Sequence, residues 1–184
     1  MRPPLYILAG GKSRRFGSDK ARAIHRGRPL ILTVADALAP ATVGSTVVAA
    51  ASGRYADLGL QTIADRWPDR GPLGGLASAL ADLPDRHPGS QWLVLAACDL
   101  LDPDPDWVAS LVAAAIGMQA AAFRSETGWE PVCAVYHADL REEAQRRAMG
   151  DDRSMHALLD AVDTASLPVP RDYRQVTRPE DLPG

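Results

Sequence analysis

Short apolar runs alternate with longer stretches of helical period along the chain, and that alternation narrows the fold more than any other feature of the sequence. The runs fall at residues 5–9, 46–51, 60–64, 92–97, 120–123 and 132–136. Most are unbroken, the pattern of strands buried on both faces of a parallel sheet. Between them lie amphipathic stretches at 30–38, 73–83, 107–116, 138–149 and 154–162. In the first of these, Leu30, Val34 and Leu38 recur at i, i+4 and i+8 and make one helical stripe. The alternation predicts an α/β fold, a three-layer α/β/α sandwich around a mainly parallel sheet. The Pro- and Gly-rich joints at 65–72, 83–89 and 102–105 are too short for linkers and no segment repeats, so a single domain over residues 1–184 is expected.

Composition removes several classes of function. With 184 residues, 46% of them apolar, the chain can bury a real core and does not read as disordered. A net charge of −3 argues against a nucleic-acid partner, which normally selects a basic excess. Cys98 and Cys133 alone make neither a disulfide framework nor a four-ligand zinc site, and a reducing compartment is expected. No apolar run approaches the roughly 18 residues that span a bilayer, so no membrane partner is expected. The run at 5–9 is too short for a signal-peptide core, and the expected location is cytoplasmic.

In open parallel sheets ligands sit beyond the carboxyl ends of the strands, so the residues just past each strand matter most. After the first comes a glycine- and cation-rich segment; after the third, Asp65; after the fourth, Cys98 and Asp99. Glycines let a backbone approach a ligand closely, and exposed N–H groups cradle phosphate oxygens. Lys12, Arg14, Arg15 and Lys20 add four positive charges to this segment of an acidic chain, and Lys12 and Lys20 are its only two lysines against 18 arginines. Gly11-Lys12-Ser13 suggests a P-loop, but the required upstream glycine position holds Tyr6. The spacing of Gly10, Gly11 and Gly17 likewise fails the Rossmann fingerprint, and Arg15 stands where a nucleophile elbow around Ser13 would need glycine.

The segment Leu8-Ala-Gly-Gly-Lys-Ser-Arg-Arg-Phe-Gly-Ser-Asp-Lys20 resembles the signature loop of nucleotidyltransferases, and its Gly-Gly form is similar to that of the molybdenum cofactor guanylyltransferases. Further landmarks agree in order: Asp65 before Gly71-Pro-Leu-Gly-Gly-Leu76, Ala97-Cys-Asp99 ending a strand, Pro131-Val-Cys-Ala-Val-Tyr136, and Pro179-Glu-Asp-Leu182. The resemblance implies a Rossmann-like nucleotidyltransferase fold, that of the nucleotide-diphospho-sugar transferases. It implies guanylyl transfer from GTP to the terminal phosphate of molybdopterin, with pyrophosphate leaving. Leu8, Ala9, Gly10, Gly11, Lys20, Asp65 and Asp99 are then the nucleotide contacts, and Lys20, Arg15 and Asp99 the catalytic set. Asp99 would hold Mg2+, the expected cofactor, and a transient contact with molybdoenzymes or their chaperones belongs to the same picture.

Each of these residues also has a plain structural use. Asp99 can cap the next segment and Asp65 can form a turn before Pro68. The histidines His25, His87, His137 and His156 share no ligand spacing and read as surface or structural. Arg146, Arg147 and Arg153 read either as a solvated helix face or as a contact for the acceptor's phosphate. The family usually shows Asn-x-Asn-Thr before the closing Pro-Glu-Asp-Leu, where this chain has Gln175-Val-Thr-Arg178, and an Asn after the second strand is missing within 49–51. Those changes fall on the substrate side and leave the phosphate and metal residues intact. Two alternatives keep the same signature: a transferase using CTP or another acceptor such as a sugar phosphate, and a nucleotide- or cofactor-binding relative without turnover.

Overall fold

The structure is a computed structural model describing residues 2–9, 16–17 and 19–182. Its centre is a seven-stranded sheet. The first strand, β1 (Pro4–Leu8), pairs in parallel on one side with β4 (Val43–Ala49) and on the other with β6 (Trp92–Ala97). Beyond β4 lies the edge strand β5 (Gln61–Ala64). Beyond β6 come β8 (Gly128–His137), β7 (Ala120–Ser125) and the edge strand β9 (Thr164–Pro168), giving the order β5-β4-β1-β6-β8-β7-β9. Only β8 is antiparallel to its neighbours, so the expected mainly parallel sheet is found.

Helices cover both faces because the strands are apolar on both. Leu5, Ile7, Val94 and Ala96 face one core with α1 (Leu30–Leu38) and α3 (Pro105–Ala114). Tyr6, Leu93 and Leu95 face a second core with α2 (Gly71–Arg86), α4 (Arg141–Met149) and α5 (Met155–Ala161). The i, i+4 stripe read from 30–38 is the buried face of α1, since Leu30, Val34 and Leu38 are fully buried. Two elements lie outside the expected set. One is β9, whose sequence Thr-Ala-Ser-Leu-Pro carries too little apolar surface to read as a strand. The other is a two-residue hairpin, β2 (Ile24–His25) with β3 (Arg28–Pro29), turning on Arg26 and Gly27 at φ of 49° and 77°.

The Gly71-Pro-Leu-Gly-Gly-Leu76 stretch becomes the first turns of α2. Gly71 takes a φ of +63°, and Pro72 sits in the first turn, where its missing N–H costs nothing. The next two glycines serve close packing. A Cβ on Gly74 would stand 2.4 Å from the Trp67 carbonyl oxygen, and one on Gly75 would stand 2.5 Å from Leu8 Cδ2. This helix end is thereby drawn tightly against the end of β1.

Candidate functional site

Because β1 and β6 are parallel neighbours, with Leu8 opposite Ala97, the residues beyond them emerge at one edge of the sheet. There Leu8, Ala9, Lys20, Pro72, Asp99 and Gln175 share a cavity of about 320 Å³. The N-terminal turn of α2 forms part of its wall, and such an end carries partial positive charge.

Lys20 opens a short 3-10 turn, Lys20–Arg22, capped by Asp19, whose Oδ1 accepts from the Ala21 N–H at 3.2 Å. The turn aims Lys20 into the cavity, where Nζ donates to Asp99 Oδ2 and to the Val176 carbonyl, both at 2.9 Å. These contacts use two of its three N–H donors. The two side chains are only 19% and 18% exposed, so water screens the pair weakly and losing one partner would strand the other charge. Asp99 Oδ1 is buried and has no hydrogen-bond partner among the described residues. A carboxylate oxygen shut away from water without a donor is costly, and its environment suits a cation.

The segment after β6 is braced from two sides. Leu100 bridges Gln175, the Leu101 N–H donates to the Arg174 carbonyl at 3.0 Å, and the Val176 N–H donates to the Asp99 carbonyl at 2.9 Å. Beneath it Leu30, Leu101 and Val176 pack together. Asp102, at a φ of 43°, is held by His25 Nε2 and Arg26 Nη2, each at 3.0 Å. His25 is therefore a structural histidine in the hairpin wall. Next to Asp99, burial and that carboxylate's charge push the Cys98 thiol up to about 12, so it remains protonated at neutral pH and serves as packing.

Of the residues singled out in the sequence, Leu8, Ala9, Lys20 and Asp99 meet in this cavity. Gly10, Gly11 and Arg15 lie outside the described residues. Asp65 is not in the cavity wall: it ends β5, with β4 standing between it and β1. Its Oδ1 accepts from the Trp67 N–H at 3.0 Å and from the Ser78 hydroxyl at 2.9 Å, closing the turn into α2. Arg146 and Arg147 both pair with Glu143 at 2.6 Å; Arg146 is exposed, whereas Arg147 is largely buried and also pairs with Asp152. Gln175, marked in the sequence only by the broken family pattern, is in the cavity wall, and one partner of Lys20 escaped the sequence reading. The Val176 carbonyl has no signal at all, because backbone groups look alike in any sequence.

The profile of the MobA-like NTP transferase domain matches residues 5–166. Over 180 residues the chain is 34% identical to the probable molybdenum cofactor guanylyltransferase of Deinococcus radiodurans, covering 96% of this chain and 90% of that protein. It is 35% identical over 157 residues to the molybdenum cofactor guanylyltransferase of Rhodopseudomonas palustris, covering 82% and 72%. Among solved structures, molybdopterin-guanine dinucleotide biosynthesis protein A from Archaeoglobus fulgidus has the same fold, with a TM-score of 0.80 at 21% identity over 97% of this chain and 94% of that one.

Proposed function

The chain belongs to the MobA-like NTP transferase family and is a nucleotidyltransferase of molybdenum cofactor biosynthesis, and on that premise we propose that it transfers the guanylyl group of GTP to the terminal phosphate of molybdopterin. A phosphate oxygen of the acceptor attacks the α-phosphorus, the bond from that phosphorus to the bridging oxygen breaks, and pyrophosphate leaves. The attacking oxygen is already ionised at neutral pH, so no side chain has to remove a proton. The protein's part is alignment of two anions and neutralisation of their charge.

The meeting of Lys20 and Asp99 at the shared end of β1 and β6, with Asp99 Oδ1 buried and unpartnered among the described residues, carries this reading. The backbone of Leu8, Ala9, Gly10 and Gly11 seats the nucleotide. Lys20, with Arg15, balances phosphate charge, the third N–H of Lys20 reaching a phosphate oxygen. Asp65, past the end of β5 on the far side of β4, contacts guanosine at the same edge of the sheet. Asp99 is the residue that would hold Mg2+. Among the described residues no three His, Cys, Asp or Glu side chains cluster as ligands, which suits an ion whose other ligands are phosphate and water oxygens. When bound, Mg2+ supplies charge neutralisation on the phosphates.

The test is pyrophosphate release with molybdopterin and either GTP or CTP, in Mg2+ buffer. Release that requires both GTP and molybdopterin is the expected result. Preference for CTP, or for a sugar phosphate as acceptor, removes the guanylyl assignment. Nucleotide binding without release under any pairing makes the protein a binding relative instead.

A further inference from the structure

Between β4 and β5, just past the alanines at 49–51, stands Tyr55. Its side chain is completely buried, and its phenolic oxygen lies 3.2 Å from each carboxylate oxygen of Asp19 and 3.4 Å from the Ala9 carbonyl. One proton is offered to three oxygens, and the charged pair, being nearer, takes the larger share. Arg54 Nη2 donates to Asp19 Oδ2 at 3.0 Å. The guanidinium carbons of Arg22 and Arg54 stand 5.3 and 5.6 Å from the Tyr55 ring centre. Burial raises the phenol's pKa above its ordinary value, so it is a donor throughout the physiological range.

Both residues that Tyr55 reaches, Ala9 and Asp19, line the cavity. Ala9 ends the strand side of the signature, and Asp19 ends its other side and caps the turn that carries Lys20. Fixing Asp19 fixes the start of that turn, and Lys20 is the cation that meets Asp99. A side chain from a segment more than 30 residues away thus sets the separation of the signature's two sides.

We propose that Tyr55 is a positioning residue that, through Asp19 and Ala9, sets Lys20 for the phosphates of the bound nucleotide. The inference rests on the reading of the cavity as a nucleotide site. Tyr6 provides a matched comparison: its phenol is also fully buried and also donates to an aspartate, Asp82 Oδ2 at 2.9 Å, but Asp82 lies along α2 and outside the cavity wall.

The experiment compares wild type, Tyr55→Phe and Tyr6→Phe. Tyr55→Phe is expected to raise the dissociation constant for GTP–Mg2+ roughly tenfold, the scale of one hydrogen bond to a charged group, while Tyr6→Phe leaves it within about twofold. In nucleotide-free protein, the Ala21 and Arg22 amides should exchange faster in Tyr55→Phe alone. Asp19→Asn keeps a capping side chain but loses the charge, and should shift both readouts in the same direction. Equal behaviour of the two phenylalanine variants in both measurements overturns the inference and leaves the nucleotide reading standing. Faster exchange at Ala21 in a protein whose wild type binds no nucleoside triphosphate supports the positioning of Lys20 by Tyr55 and removes the nucleotide reading.

Discussion

The two halves of the sheet reach the cavity by different means. In the half formed by β5, β4, β1 and β6 every pairing is parallel, so strand ends and the residues after them stand at one edge. Leu8, Ala9 and Asp99 arrive there as a consequence of register, and Lys20 joins them through a capped turn. In the half formed by β8, β7 and β9 the ladder between β7 and β8 is broken. Ala122 faces Ala134 but Phe123 faces Glu130, so residues 131–133 of β8 have no partner on β7, although Cys133 keeps its place opposite Ala96 of β6, and Val132 reaches the cavity from this bulge. Parallel pairing delivers charge to the site, and the bulged antiparallel pairing delivers shape. The departures from the family pattern, at 175–178, sit on the strap that joins the two.

The sharpest way to break this contrast is to remove the charges of the parallel half. Asp99→Ala and Lys20→Ala should each lower the transfer rate by roughly 10²–10³-fold, the scale of losing one preorganised electrostatic contact, read as pyrophosphate release per enzyme. A substitution of similar size in β8, Val132→Ala, should cost less than tenfold in the same assay; parity among the three would erase the distinction. Next in size is Gly74→Ala, whose new methyl meets a backbone oxygen that cannot turn aside. Urea unfolding should show a loss of about 2 kcal/mol, within the range for overpacking. Gly75→Ala should lose less, since the atom it meets is the end of the Leu8 side chain.

Smaller effects probe the other half. Gln175 Nε2 donates to the Tyr173 hydroxyl at 2.9 Å, which fixes the amide in the cavity wall. Gln175→Ala should raise the acceptor's KM several-fold and leave nucleotide affinity unchanged; a matching loss of nucleotide affinity would show that the halves do not divide the substrates. The least change belongs to Glu130, whose pKa is raised chiefly by burial. With the folded value above the unfolded one, the charged form penalises folding at neutral pH, and the penalty fades as pH falls through the folded pKa. Glu130→Gln should therefore have a melting temperature a degree or two higher at pH 7, with the gain gone near pH 3.

Much of the architecture was legible because β1, β6 and α1 carry unambiguous periodicity; that the 71–76 stretch is itself the start of α2, with Gly74 and Gly75 packed against Trp67 and Leu8, was not. Strand order was not legible. The ends of β1, β5 and β6 do stand at one edge, but β4 lies between β5 and β1, so Asp65 is two strands from β1, and its carboxylate closes the turn before α2. The short hairpin and β9 escaped because two to five residues with little apolar surface carry almost no pattern. Lys20 and Asp99 were visible as residue types in a specific signature; their partner in Val176 was not, since that contact spans 156 positions and uses a carbonyl.

That last contact has a bearing on how the protein is made. The signature leaves the ribosome well before residues 174–176, so Lys20 gains its carbonyl partner, and Asp99 its strap, only when those later residues have emerged. Nascent chains stalled before that point carry the charges of the site without the backbone that holds them in place.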